Sequence, residues 1–197
     1  RESQPLPTRR SSDLKRGSIK RNTNRRRING KRTIGNSEGS VIMAKIGRLL
    51  TAMITPFNEA RQVNYKQARK LAKGLVKSGS DGLVIGGTTG EAPSMSDEEK
   101  IRLFAEIKEE VGNSAAVIAG TTDNNHAKSI ELSIEAEKVG VDGLLLTVPA
   151  YNKPPQEGLY QNFKSIAAAT NLPGLLYNVP SRTSLNMDAE TTLRLAE

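Results

Sequence analysis

Residues 76–91, VKSGSDGLVIGGTTGE, and residues 137–152, EKVGVDGLLLTVPAYN, decide the fold. Each leaves a helical stretch at a glycine, passes through Asp-Gly into a short apolar run and finishes in a polar loop. The runs Leu83-Val84-Ile85 and Leu144-Leu145-Leu146 show no polar alternation, the pattern of strands covered on both faces. Helix, glycine, strand and loop repeated in one order predict a parallel α/β sheet.

The same alternation extends in both directions. Apolar strands are predicted at 49–55, 81–86, 115–120, 142–148 and 174–179, and helices at 65–78, 96–111, 127–139, 156–170 and 188–197. The second helix opens with Ser96 and has Glu99 three residues on, a capping box. Near-equal units with their polar motifs after the strands predict a (β/α)8 TIM barrel, of which this chain carries the N-terminal five or so units. The competing architecture, a doubly wound sheet, lacks a G-x-G-x-x-G after its first strand.

Composition narrows the chemistry. The 197 residues carry a formal charge of +8, but residues 1–42 hold 12 Lys/Arg against 3 Asp/Glu, so the rest is close to neutral. Residues 1–42 have no aromatic residue and no helical or strand period. They read as a disordered basic leader. Its stretch PTRRSSDL (7–14) looks like one reading frame of a sequencing adapter followed by translated upstream DNA, and Met43 reads as a normal start. A basic nucleic-acid-binding arm is the alternative for that segment. Residues 43–197 carry all of the strand–helix units. No cysteine excludes a disulfide framework, a thiolate metal site and a cysteine nucleophile, and the single His126 excludes a His-rich metal site. No apolar run has the length of a membrane span. The expectation is a cytoplasmic protein with no metal, no cofactor, no membrane and no nucleic-acid partner.

In a barrel the residues after the strands build the site. Three such segments stand out. In Gly86-Gly87-Thr88-Thr89-Gly90-Glu91 the glycines let backbone approach a ligand, and consecutive N–H groups with threonine hydroxyls can hold a small carboxylate; a plain glycine-rich turn fits that segment equally well. Tyr151 and Tyr177 follow strands, where a phenol can relay a proton or simply fill a core. Arg182 in NVPSRT can make a bidentate bond to a carboxylate or lie on the surface. His126 and the run Asp97-Glu98-Glu99-Lys100 read as surface and solvated helix-start charge.

Taken together, GGTTGE (86–91), VPAYNKPPQEGLYQNF (148–163) and LLYNVPSRT (175–183) resemble the 4-hydroxy-tetrahydrodipicolinate (dihydrodipicolinate) synthase family, pyruvate-dependent lyases related to N-acetylneuraminate lyase. The resemblance implies a TIM barrel and a Schiff-base condensation of pyruvate with L-aspartate 4-semialdehyde on the route to diaminopimelate and lysine. It implies that Tyr177 moves protons beside the Schiff base, with Thr88 and Tyr151 completing the relay and Tyr151 reaching into a neighbouring subunit. Thr89 and Gly87 would bind the pyruvate carboxylate, and Arg182 the semialdehyde carboxylate. It further implies a homotetramer built as a dimer of dimers. The family's Schiff-base lysine lies on the next strand, beyond Glu197, so the chain as written is expected to be inactive, and its open sheet to favour aggregation. Feedback-inhibited members bind lysine near the glycine-rich loop; Ala150, Pro93 and Lys128 depart from that pattern while Asn124 keeps it, which implies weak sensitivity to lysine. A neuraminate-type lyase or another pyruvate aldolase is the alternative, against which Thr89 and Arg182 speak.

Overall fold

In a computed structural model the described residues run from Ile46 to Ala196. The readings of residues 1–42 and of the start at Met43 lie outside them. Along the chain come β1 (Leu50–Ala52), α1 (Tyr65–Lys77), β2 (Gly82–Ile85), a 3-10 turn (Ala92–Ser94), α2 (Asp97–Val111), β3 (Ala116–Gly120), α3 (His126–Lys138), β4 (Gly143–Thr147), α4 (Gln156–Ala168), β5 (Gly174–Tyr177), α5 (Pro180–Thr183) and α6 (Ala189–Ala196). The strands form one all-parallel sheet in the order β1-β2-β3-β4-β5. These are five successive units of a barrel wall. All ten predicted elements are present, most of them trimmed at their ends, while α3 begins one residue earlier, at His126. The 3-10 turn and α5 were not predicted: each is a single turn, too short to show a helical period, and each begins with proline in its first turn.

The local rules behind the helices are visible. At α2 the Glu99 N–H donates to the Ser96 hydroxyl (3.2 Å) and the Ser96 N–H to the Glu99 carboxylate (3.0 Å). Asn64 and Asn125 cap α1 and α3 without the reciprocal bond, their side chains accepting from the Gln67 N–H and from the Ala127 and Lys128 N–H groups.

The repeated Asp-Gly has a structural use. Asp81 accepts from the Arg48 and Leu49 N–H groups (2.7 and 2.9 Å), pinning the start of β2 to the chain entering β1. Asp142 accepts from the Val117 N–H (2.8 Å) and from the Lys108 ammonium (2.7 Å), pinning β4 to β3. The glycine that follows leaves room for the neighbouring strand, since a Cβ on Gly82 would lie 2.6 Å from the Leu50 side chain.

Alternate residues of each strand face two different clusters. Leu83, Ile85, Val117, Ala119, Leu144 and Leu146 pack with the helices in the larger core. Val84, Ala116 and Ile118 pack with Ile46, Leu50, Leu145 and Leu175 on the other face, which is the barrel interior. By strand alternation Thr147 and Tyr177 share that interior face with Leu145 and Leu175. β2 and β3 are buried throughout, whereas β5 is only half-buried or exposed. Among the described residues neither β1 nor β5 pairs on its outer side.

α1 is clamped to α2 by Arg69, whose guanidinium reaches Glu106, Glu109 and Glu110 at 3.0, 2.7 and 3.0 Å. Its hydrogen bonds hold the Glu106 and Glu110 carboxyls below their ordinary value of 4.5, and the Leu49 and Arg48 N–H groups hold Asp81 below 3.8. Folded-state carboxyls that are depressed stabilise the fold above their unfolded values and lose that contribution as pH falls through the folded ones. The denaturation midpoint is therefore expected to hold steady above the unfolded carboxyl range and to fall as pH drops below 4.5. Arg69→Met should flatten part of that fall, as read by urea titrations across a pH series.

Candidate active site

The glycine-rich loop starts where β2 and β3 come closest. Gly86 has φ +65°, and a Cβ on Gly120 would sit 2.2 Å from the Gly86 carbonyl oxygen. Only glycine at both positions allows the two strand ends to lie backbone against backbone. The loop then folds as tandem turns: the Gly90 N–H donates to the Gly87 carbonyl (3.0 Å) and the Glu91 N–H to the Thr88 carbonyl (3.2 Å). The buried Thr55 hydroxyl donates to the Gly90 carbonyl (2.6 Å) and fixes the loop to the chain leaving β1. Thr88 and Thr89 ride exposed at its crest, and among the described residues their N–H groups find no acceptor within the protein. A loop held this firmly, with outward donors at its crest, suits a small anion.

The loop after β5 is held as tightly. Asn178 donates to the Asn186 side chain (2.9 Å) and accepts from the Met187 N–H (3.1 Å), and Gln156 donates to the Asn186 carbonyl (2.8 Å). Within α5 the Arg182 and Thr183 N–H groups return to the Val179 carbonyl. Thr183 is buried while Arg182 is exposed, and among the described residues the Arg182 guanidinium makes no ion pair. The scaffold is satisfied internally, which leaves this guanidinium available to a ligand.

A cavity of about 360 Å³ lies at the strand C-termini, between these loops. Gly87, Thr88 and Arg182 all line it, so three of the six sequence-predicted site residues meet in one place. Thr89, Tyr151 and Tyr177 do not line it. Tyr177 ends β5 opposite Thr147, its carbonyl accepts from the Val148 N–H (3.1 Å), and its ring lies on the interior face, half-buried. Tyr151 is 90% exposed, with φ +69°, in a loop tied down by Asn152, whose amide donates to the Asn124 carbonyl (2.8 Å). Among the described residues no hydrogen bond joins the Thr88, Tyr151 and Tyr177 hydroxyls, and no His/Cys/Asp/Glu group of metal-binding size occurs.

The cavity also takes in Asn124, named above only for the family's lysine-binding pattern, and residues that the motif reading passed over. Thr122, Asp123 and Asn124 follow β3, and Thr147 ends β4; the Thr147 N–H donates to the Thr122 hydroxyl (2.8 Å). The rule that flags post-strand segments applies equally to TTDNN (121–125) and could have found them. Lys100 corrects the reading of solvated charge at the start of α2. It is 6% exposed and lines the cavity. Its position one turn before Leu103 and Phe104, in line with Ile107 and Val111, puts it on the helix's inward stripe.

Comparison with known proteins agrees with this architecture. The Dihydrodipicolinate synthetase family matches residues 45–197. The 4-hydroxy-tetrahydrodipicolinate synthase of Moorella thermoacetica is 65% identical over 151 residues, covering 77% of this chain and 52% of that protein. Among solved structures, the dihydrodipicolinate synthase of Bacillus anthracis superposes with a TM-score of 0.77 at 44% identity, over 79% of this chain and 53% of that one. The chloride-inhibited enzyme of Acinetobacter baumannii, solved in complex with pyruvate, gives 0.74 at 42% identity, over 76% and 51%. The chain thus spans about half the length of the relatives it matches, and over that half the sequence and the overall fold agree: it belongs to the dihydrodipicolinate synthetase family.

Proposed function

We propose that the protein carrying this chain is a 4-hydroxy-tetrahydrodipicolinate synthase, condensing pyruvate with L-aspartate 4-semialdehyde through a lysine Schiff base. The observation that carries the reading is the single cavity that joins Gly87 and Thr88 of the GGTTGE loop to the Arg182 guanidinium. Both substrates are carboxylates, and the reaction needs one set of donors for each.

In this reading the Thr89 N–H and hydroxyl, supported by Gly87, hold the pyruvate carboxylate at the loop crest. Tyr177, on the interior face, gives and takes the protons of imine formation and enamine attack. Thr88 and Tyr151 pass them on. Tyr151's 90% exposure and left-handed backbone suit a side chain that completes a neighbouring subunit's site, so the relay closes only in a homo-oligomer, a dimer or a dimer of dimers. Arg182 receives the semialdehyde carboxylate at the mouth. The amine that forms the imine is supplied from outside residues 1–197. Such an enzyme would work in the cytoplasm; among the described residues no helix is long and apolar enough to cross a membrane.

A coupled assay of the intact protein with both substrates tests the reading. Condensation without cleavage of N-acetylneuraminate is expected; cleavage of the sugar acid with no condensation would replace it by the neuraminate-type lyase.

A further inference from the structure

Of the helices α1 to α4, only α4 begins without a side-chain cap: its N-cap is Pro155. Its first residue, Gln156, reaches into the next unit instead. The Gln156 Nε2 donates to the Asn186 carbonyl (2.8 Å), and its Oε1 accepts from the Asp188 N–H (3.1 Å) and from the buried Thr191 hydroxyl (2.8 Å). An amide oxygen offers two lone pairs, so this one is used to capacity. A backbone N–H can only donate and a carbonyl only accept, which fixes the orientation of the amide.

The segment that Gln156 grips closes a ring around α5. Asn178 donates to the Asn186 side chain (2.9 Å) and accepts from the Met187 N–H (3.1 Å), joining the two ends of residues 178–187. Inside the ring the buried Thr183 hydroxyl lies 3.0 Å from the Leu185 carbonyl, and the Ser184 N–H donates to the Pro180 carbonyl (2.9 Å). Met187 anchors the ring in the larger core. Arg182 belongs to this ring and lines the cavity, whereas Gln156 does not line it. On its other side Gln156 follows directly on the loop that carries Tyr151, through Pro154 and Pro155, whose rings restrict the backbone. The loops after β4 and β5 are therefore joined at one side chain.

We propose that Gln156 is a positioning residue for the aldehyde substrate: by tying the ring of residues 178–187 to the start of α4, it holds Arg182 where the substrate carboxylate arrives. The assignment rests on the proposed function, in which Arg182 receives that carboxylate.

Initial rates of the intact protein over a range of both substrates, beside borohydride capture of pyruvate, test the assignment. Gln156→Leu should lower kcat/KM for the aldehyde by about ten- to a hundredfold, mainly through KM, the scale of a misplacement of about 1 Å. Capture of pyruvate as a reducible imine should persist. Thr191→Val keeps the shape of the side chain and removes one of the three bonds, so the same KM should rise by about threefold. In an Arg182→Ala background Gln156→Leu should cost less than about twofold more, because a residue acting through another is not additive with it. An unchanged KM for the aldehyde in Gln156→Leu would overturn the assignment and leave the proposed function standing. So would the full loss repeated in the Arg182→Ala background, or an equal loss of pyruvate capture. If Gln156→Leu does not fold, an unchanged KM in Thr191→Val would overturn it in the same way. Absence of condensation by the unsubstituted protein would overturn the proposed function, and this assignment with it.

Discussion

Replacing Arg182 by alanine in the intact protein is expected to cut kcat/KM for the aldehyde substrate by about 10- to 200-fold, the equivalent of about 1.5–3 kcal/mol for hydrogen bonds to a charged group. Arg182 is exposed and lines the cavity, and the α5 turn beneath it is held by backbone bonds to Val179 and by the buried Thr183. The substitution therefore removes a ligand contact without undoing the scaffold. Two readouts separate this role from a structural one. The melting temperature should hardly move, and capture of pyruvate as a reducible imine should persist, because pyruvate is assigned to the glycine-rich loop. Equal losses toward both substrates would show that Arg182 shapes the site as a whole.

Gly120→Ala should have the largest effect on folding. The new Cβ would lie 2.2 Å from the Gly86 carbonyl oxygen and 2.7 Å from its carbonyl carbon, so two backbones must separate rather than one side chain turn. Overpacking of this kind costs about 1–3 kcal/mol. At about 2–4 °C per kcal/mol for a domain of this size, that is a fall in melting temperature of several degrees. Because Gly86 leads directly into Gly87 and Thr88, activity of the intact protein should drop as well. Gly74 provides the opposite case. It lies in α1, exposed, and a methyl group there would meet nothing within 4 Å. Gly74→Ala should raise stability by about 0.5–1 kcal/mol, since helix-interior glycine carries an entropic penalty. Thermal melts of the two variants beside the parent read both effects.

The wall of the barrel was legible because its strands are buried on both faces and repeat the same Asp-Gly entry. Burial makes the apolar runs unbroken, and the carboxylate that pins each strand to its neighbour has to recur at the same place, as Asp81 and Asp142 do. The helices followed from period and caps, Ser96 and Glu99 above all. The single-turn elements were not legible, because four residues such as Pro180–Thr183 are fewer than the pattern needs to repeat.

At the site, the glycine-rich loop and Arg182 were legible from their place after strands, and Gly87, Thr88 and Arg182 do line one cavity. Lys100 was not, because a charged residue in a charged run reads as solvated until its spacing to Leu103, Phe104 and Ile107 is weighed. Tyr151 and Tyr177 show why the proposed proton relay resists reading from one chain. The first stands exposed outside the cavity, and the second ends a strand with no neighbour on its outer side among the described residues.

Borohydride reduction in the presence of pyruvate, followed by peptide mass mapping, separates the two halves of the proposed chemistry. The pyruvate-binding groups are assigned to this chain and the imine-forming amine to a position outside it. The intact protein should therefore gain the mass of one reduced pyruvate on a lysine outside residues 1–197, and the 197-residue chain treated alone should gain none. A stoichiometric adduct on a lysine within the chain, Lys100 included, would contradict that division.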